Sequence, residues 1–327
     1  MIKQYLIFSR IHTASLTIPV VMISYLIYGR DLWTLFLLSV FALLFHAFGF
    51  MWNNIFDYKY DKIDKYKQHF PLISGEINIK HAIYIASIGT VLTYLFGTYI
   101  TYHHLVSFIF MNMAILFGFL YNIYNKKMSS SSLYISMSFA SLIPMSMYLN
   151  DGVSTIVSTM MFFIAFLTMM YQISVSGNIK DMEVPQANLM KKLGVRLFAN
   201  NIVFSNKAIA YSTVLRIMVF ELIISLFYIL SMKITSVVIL TAMLSIPSLL
   251  FIITMIYHIK MINHARWDRD AYLSYMSKIE IFNYLTFATI IIPVLSIYAY
   301  LFFVLFPILW FAIFNRIMWG TVSFPKV

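Results

Sequence analysis

Continuous apolar runs of about 20 residues recur along the chain, each long enough to cross a hydrocarbon core of about 30 Å as a helix. Backbone N–H and C=O groups find no water in that core, so every one of them must be satisfied within the segment. A chain built this way is an integral membrane protein. With 61% hydrophobic and 11% charged residues, it lies far from the roughly 25% charged composition of soluble domains. The runs against polar breaks place spans near 5–28, 32–56, 80–101, 105–124, 130–149, 153–177, 207–231, 234–258 and 280–300. The stretch from Leu301 to Trp319 is also apolar, and Pro293 and Pro307 are points where 280–319 can kink or divide. The expected fold is all-α: one polytopic bundle over 1–327 of about nine helices, ten if the tail crosses.

The first run follows basic residues but is long and lacks a small-residue cleavage site, so it reads as a retained helix rather than a signal peptide. No cysteine is present, which excludes a disulfide framework, a thiolate metal site and a Cys nucleophile. The net charge of +11 comes from Lys and Arg spread over short loops, where anionic lipid and membrane orientation explain it; nucleic-acid binding is not expected. Alternate loops gather Lys3 and Arg10, Lys59 to Lys80, Lys126 and Lys127, Lys180 to Lys207, and Lys260 to Lys278 on one side, which makes that side cytoplasmic. Nine of the twelve acids fall there too: Asp57, Asp61, Asp64, Glu76, Asp181, Glu183, Asp268, Asp270 and Glu280. Polar chemistry on one side, with only Arg216 and Glu221 in mid-span, favours an enzyme opening to the cytoplasm over a channel or carrier.

Two long cytoplasmic loops, 57–79 and 178–206, each begin with acids. Asn53, Asp57 and Asp61 are spaced i, i+4, i+8, which puts one amide and two carboxylates on a single helix face. Oxygen donors stacked this way suit Mg²⁺, which takes one or two carboxylates together with water and substrate phosphate oxygens. A helix end with solvated or lysine-paired carboxylates is the plain alternative. In the second cluster, Gly177 to Pro185, Asp181 is the candidate ligand and Glu183 a second one if the helix ends before Pro185. Lys62, Lys67, Lys126, Lys180 and Arg196 are candidates for diphosphate contacts, headgroup binding being their ordinary alternative. Tyr121 and Tyr124 are candidate cavity aromatics and Arg10 a candidate ligand-cavity residue. No histidine cluster has metal-ligand spacing.

These segments resemble the UbiA superfamily of intramembrane prenyltransferases, and most closely its dihydroxynaphthoate (menaquinone-pathway) branch. Asn53, Asp57 and Asp61 match its first motif, with Asn54 where an Asp commonly follows the Asn. Pro71 to Ile77 resembles its PL-(V/I/P)-SG-x-I stretch, with Phe70 in place of the preceding Arg; Lys67 and His69 are near enough in sequence to replace it. Arg10-Ile11-His12-Thr13 is similar to its RPHT opening, and Tyr121 to Lys127 to its Tyr-to-Lys segment. Asn178 to Glu183 resembles N-x-R-D-x-E, and Lys191 to Leu197 resembles the KRTLAVRL that follows, but the second Asp of that motif is Pro185 here.

The resemblance implies a bundle around a central cavity with capping loops at its cytoplasmic mouth. Mg²⁺ would bridge Asn53, Asp57, Asp61 and Asp181 to a prenyl diphosphate, and ionisation would give an allylic cation attacked by an aromatic acceptor. A side opening to membrane lipid would admit the isoprenoid tail. The same features admit a terpene cyclase of this type, needing no acceptor, or a non-catalytic isoprenoid-binding or transport protein.

Overall fold

A computed structural model describes residues 2–184, 186–198, 201–232, 237–295 and 297–321. In chain order it contains helices α1 (Ile2–Phe8), α2 (Ala14–Leu26), α3 (Leu32–Asp61), α4 (Ile79–Thr101), α5 (Leu105–Tyr124), α6 (Ser132–Met147), α7 (Thr155–Tyr171), α8 (Asn178–Lys180) and α9 (Leu189–Lys192). A two-stranded antiparallel hairpin follows, β1 (Arg196–Phe198) and β2 (Asn201–Val203). The remaining helices are α10 (Asn206–Leu230), α11 (Val237–Asn263), α12 (Arg269–Ala288) and α13 (Ile297–Trp319). Among the described residues seven helices are long and apolar enough to cross a membrane, and an eighth span results if α1 and the segment Ile11–Leu26 count as one. The protein is an all-α multi-pass membrane bundle, and Lys233, Pro185 and Lys326 lie outside the described residues.

Several expected boundaries moved, each for a local reason. The first run is broken: α1 and the helix after it meet at 54°, because Arg10 adopts a left-handed conformation (φ 49°, ψ 41°) that no helix can continue through. The run expected over 153–177 continues as a π-helical turn, Gln172–Gly177, into α8, so it ends at Lys180. The span expected over 280–300 gives way to α12, which begins at Arg269, where Asp268 caps the helix by accepting from the backbone N–H of Asp270 and Ala271, ends at Ala288, and is not among the helices apolar enough to cross a membrane. The tail forms a helix of its own, α13.

The chain divides into two compact units, the first comprising 1–124, 141–154 and 301–327 and the second 125–140 and 155–300. In the first, α3 packs against α2, α4 and α5. The buried positions of α4 are Ala82, Ala86, Gly89, Thr93, Gly97 and Thr101, a stripe of small residues. Lipid tails are as apolar as leucine, so helices in a membrane gain by close approach, which small residues permit. A Cβ on Gly89 would lie 1.9 Å from the Phe48 ring of α3, and one on Gly97 would lie 2.5 Å from Met111 of α5. In the second unit α10 packs on α7 and α11 on α12.

Candidate active site

The first acidic cluster lies in the first unit, at the C-terminal end of α3. Asn53, Asp57 and Asp61 are all buried there on one face. A helix C-terminus carries partial negative charge, so carboxylates stacked at it call for a cation nearby. One is supplied by the loop that follows: Lys67 Nζ is 2.6 Å from Asp61 Oδ1. That loop turns back on itself through Asp64, whose Oδ1 accepts from Tyr66 N, and through Gly75 at φ 84°. Lys67 thus takes the place beside the aspartates that sequence left open between it and His69. His69 is exposed, its ring lies 4.9 Å from Phe70 and 5.8 Å from Trp319, and partial burial lowers its pKa. Lys62 is exposed, with Nζ 5.8 Å from the Tyr58 ring.

Arg10 reaches the same end of α3. Its Nη2 donates to Asn54 Oδ1 at 2.8 Å, and Asn54 Nδ2 donates to Phe8 O at 2.7 Å. The guanidinium carbon is 5.1 Å from the Phe50 ring and 5.9 Å from the Phe70 ring, and Nε is buried without a hydrogen-bond partner. The left-handed turn is fastened from three directions: Thr13 Oγ1 donates to Arg10 O, His46 Nε2 lies 3.3 Å from the same oxygen, and Trp310 Nε1 of α13 donates to Ile11 O. Asn54, Asp61, Phe8 and residues 70–73 enclose a cavity of about 10 Å³, room for roughly one water. Tyr121 and Tyr124 stand half-buried in the last turn of α5, on either side of Asn122, whose Nδ2 donates to Gly49 O of α3.

The second cluster lies in the second unit. Asp181 is buried just after α8, with Lys126 Nζ 3.6 Å from Oδ2 and Gln186 Nε2 donating to the same oxygen at 3.1 Å. The loop is held by a pair of asparagines. Asn178 Oδ1 accepts from Leu189 N, and Asn188 Nδ2 donates to Asn178 O, both at 2.7 Å. Ala187 N donates to Lys126 O, which seats the Lys126 segment against this loop. Glu183 is exposed and points elsewhere: its Oε1 accepts from Trp267 Nε1 at 2.9 Å. Arg196 is exposed on β1, and Lys180 lies beside Glu280. Lys191 donates to Val184 O; burial lowers its pKa, and the Asp181 carboxylate partly offsets this.

Sequence reasoning found the aspartates through their periodicity but missed Asn54, Gln186 and Trp267 as partners. Asn54 had a signal, adjacency to Asn53 on a buried helix end; Trp267 had none. Among the described residues no three acids or histidines converge closely enough to cage a metal by themselves. The oxygen set on α3 nevertheless fits Mg²⁺, which keeps waters and takes phosphate oxygens beside one or two carboxylates. Asn53 Nδ2 is buried without a partner, and since an amide can turn over, one of its two polar atoms is left to face a ligand.

The model of the UbiA prenyltransferase family matches residues 16–278. Six solved chains share the fold, three of which follow. One, described as digeranylgeranylglyceryl phosphate synthase in membranes, is 22% identical over 90% of this chain and 99% of its own, with a TM-score of 0.64. A UbiA homologue from Aeropyrum pernix K1 in its apo form is 13% identical over 84% of this chain and 96% of its own, TM-score 0.61. A UbiA homologue from Archaeoglobus fulgidus bound to DMAPP and Mg²⁺ is 15% identical over 87% of this chain and 99% of its own, TM-score 0.60. No curated protein sequence matches significantly.

Proposed function

The chain belongs to the UbiA prenyltransferase family, and we propose that it transfers a prenyl group from a magnesium-bound prenyl diphosphate to an aromatic, dihydroxynaphthoate-like acceptor at the cytoplasmic face of the cell membrane. The observation that carries this is the buried face of Asn53, Asp57 and Asp61 at the end of α3, with the Lys67 ammonium at Asp61. The Archaeoglobus relative that shares the fold was solved with DMAPP and Mg²⁺, which supports the same donor class here.

In this reading Asn53, Asp57 and Asp61 of the first unit, and Asp181 of the second, are the residues that would hold Mg²⁺. Mg²⁺ bound there would neutralise the diphosphate and make it a better leaving group. Lys67 stands at Asp61 and Lys126 at Asp181, and in this reading each donates to diphosphate oxygens as well. Charge building on the departing diphosphate is thereby met by groups fixed in advance, which lowers the barrier to breaking the allylic C–O bond. Lys62, Lys180 and Arg196 are further candidates for contacts to diphosphate. Arg10 reads the acid group of the acceptor, and Tyr121 and Tyr124 flank its ring. Glu183 is assigned to Trp267 rather than to metal, because its carboxylate is exposed and engaged there.

Asp57→Asn and Asp181→Asn are expected to abolish turnover while the protein still inserts and elutes as folded. Survival of activity in either variant sinks the bridging-metal assignment. A cyclase differs in one respect, since it releases diphosphate without any second organic substrate. The neutral Gln186 beside Asp181 favours a modified second half-site, which the cyclase or a non-catalytic binder would accommodate; acceptor dependence separates these readings.

A further inference from the structure

The second unit contains a buried cation that the chemistry above does not use. Arg216 is only 3% exposed and lies ten residues into α10, about 15 Å from its start at 1.5 Å per residue. Its Nη2 donates to Asn283 Oδ1 of α12 at 2.6 Å. Its guanidinium carbon is 4.5 Å from the Tyr171 ring at the end of α7. That ring is itself fixed: its hydroxyl is 2.9 Å from His258 Nδ1, and His258 Nε2 is 3.3 Å from Thr213 Oγ1. Both groups touching the guanidinium are neutral, and Nε and Nη1 are buried with no hydrogen-bond partner. Of the acids around it, Glu280, three residues before Asn283, lies beside Gln172 and Lys180 with its field reaching Tyr171, and Glu221 is on the exposed side of α10.

A guanidinium does not lose its proton inside a protein. Charged residues in membrane helices are costly enough that they pair with one another or with a ligand. No described carboxylate makes an ion pair with it, while donors and an aromatic floor are in place. We propose that Arg216, with Tyr171 and Asn283, binds the acid group, carboxylate or phosphate, of a membrane-dissolved amphiphile. The depth of the site argues against a free inorganic anion, which would have to shed its hydration to arrive. The site stands whether or not the aspartates bind diphosphate.

The test uses the full chain in maltoside micelles with EDTA, so that no metal serves the aspartates. Thermal midpoints are measured against increasing dodecanoate, dodecyl phosphate and dodecanol, since a ligand that binds only the native state raises its midpoint. The two acids are expected to give a saturable rise and dodecanol none. In Arg216→Gln and in Asn283→Asp the apparent affinity for the acids should fall at least about tenfold, the loss of a charge-assisted hydrogen bond. Asn283→Asp puts a carboxylate where the amide oxygen now accepts, which neutralises the guanidinium from within and keeps the question open to test if Arg216→Gln does not fold. Preference for the carboxylate identifies an acid-bearing substrate, and preference for the phosphate a phospholipid head. Equal effects of all three amphiphiles, no rise with the acids, or an acid-specific rise undiminished in Asn283→Asp overturns the proposal.

Discussion

A residue other than glycine held in the left-handed region costs roughly 1–2 kcal/mol, and Arg10 is held there by Thr13, His46, Trp310 and Asn54 together. Its partner Asn54 is neutral, so the guanidinium keeps its full charge for a ligand. Asn54→Asp converts that contact into an ion pair; the KM for a carboxylated acceptor should rise about tenfold, with the KM for prenyl diphosphate unchanged. Steady-state kinetics with each substrate varied in turn checks this, and an equal change in both constants would remove Arg10 from the acceptor side. Lys67→Met should instead raise the KM for prenyl diphosphate about tenfold while Lys67→Arg largely preserves it, because the charge at Asp61 is what matters. The carboxylates of this site were legible in the sequence, since a helix turns every 3.6 residues and the i, i+4, i+8 spacing survives any packing. Their partners were not. Arg10 and Asn54 are 44 residues apart, and the choice of Lys67 over His69 is made by the turn geometry of residues 62–78.

At the scale of elements, α3 is positioned by the small-residue stripe of α4. Gly89→Leu would drive a side chain into the Phe48 ring and displace the helix that carries Asp57 and Asp61. A loss of about 1–3 kcal/mol is expected from such overpacking, read as a lower thermal midpoint with reduced turnover. The clasp between Glu183 and Trp267 joins the loop after α8 to the turn between α11 and α12, where Ile202 N also donates to Ala265 O. Glu183→Gln keeps an acceptor for the indole and should leave the Mg²⁺ dependence of turnover unchanged. A tenfold or larger shift in the Mg²⁺ requirement would return Glu183 to the metal. The helices themselves were readable because apolar length is a lipid requirement, and α3, α4 and α5 begin and end within a few residues of expectation. The bend at Arg10 and the early start of α12 were not readable, since the first depends on a single backbone conformation and the second on a charged, half-exposed helix that hydropathy passes over.

For the molecule as a whole, the distribution of Lys and Arg predicts a direction in the membrane. The chain contains no cysteine, so single substitutions at the exposed Glu76 and Asp151 report sidedness directly. Glu76→Cys is expected to react with an impermeant maleimide only from the cytoplasmic side and Asp151→Cys only from the other. Reaction of both from one side would break the alternation of spans on which the orientation rests. The central claim is prenyl transfer, and it is tested most directly by supplying the purified protein with Mg²⁺, a series of prenyl diphosphates and 1,4-dihydroxy-2-naphthoate or other aromatic acceptors, with products followed by mass spectrometry. A prenylated acceptor that forms only with Mg²⁺ and vanishes in Asp57→Asn is the predicted result. Diphosphate release with a cyclic hydrocarbon and no need of an acceptor, or no product under conditions where a related transferase works, would contradict it.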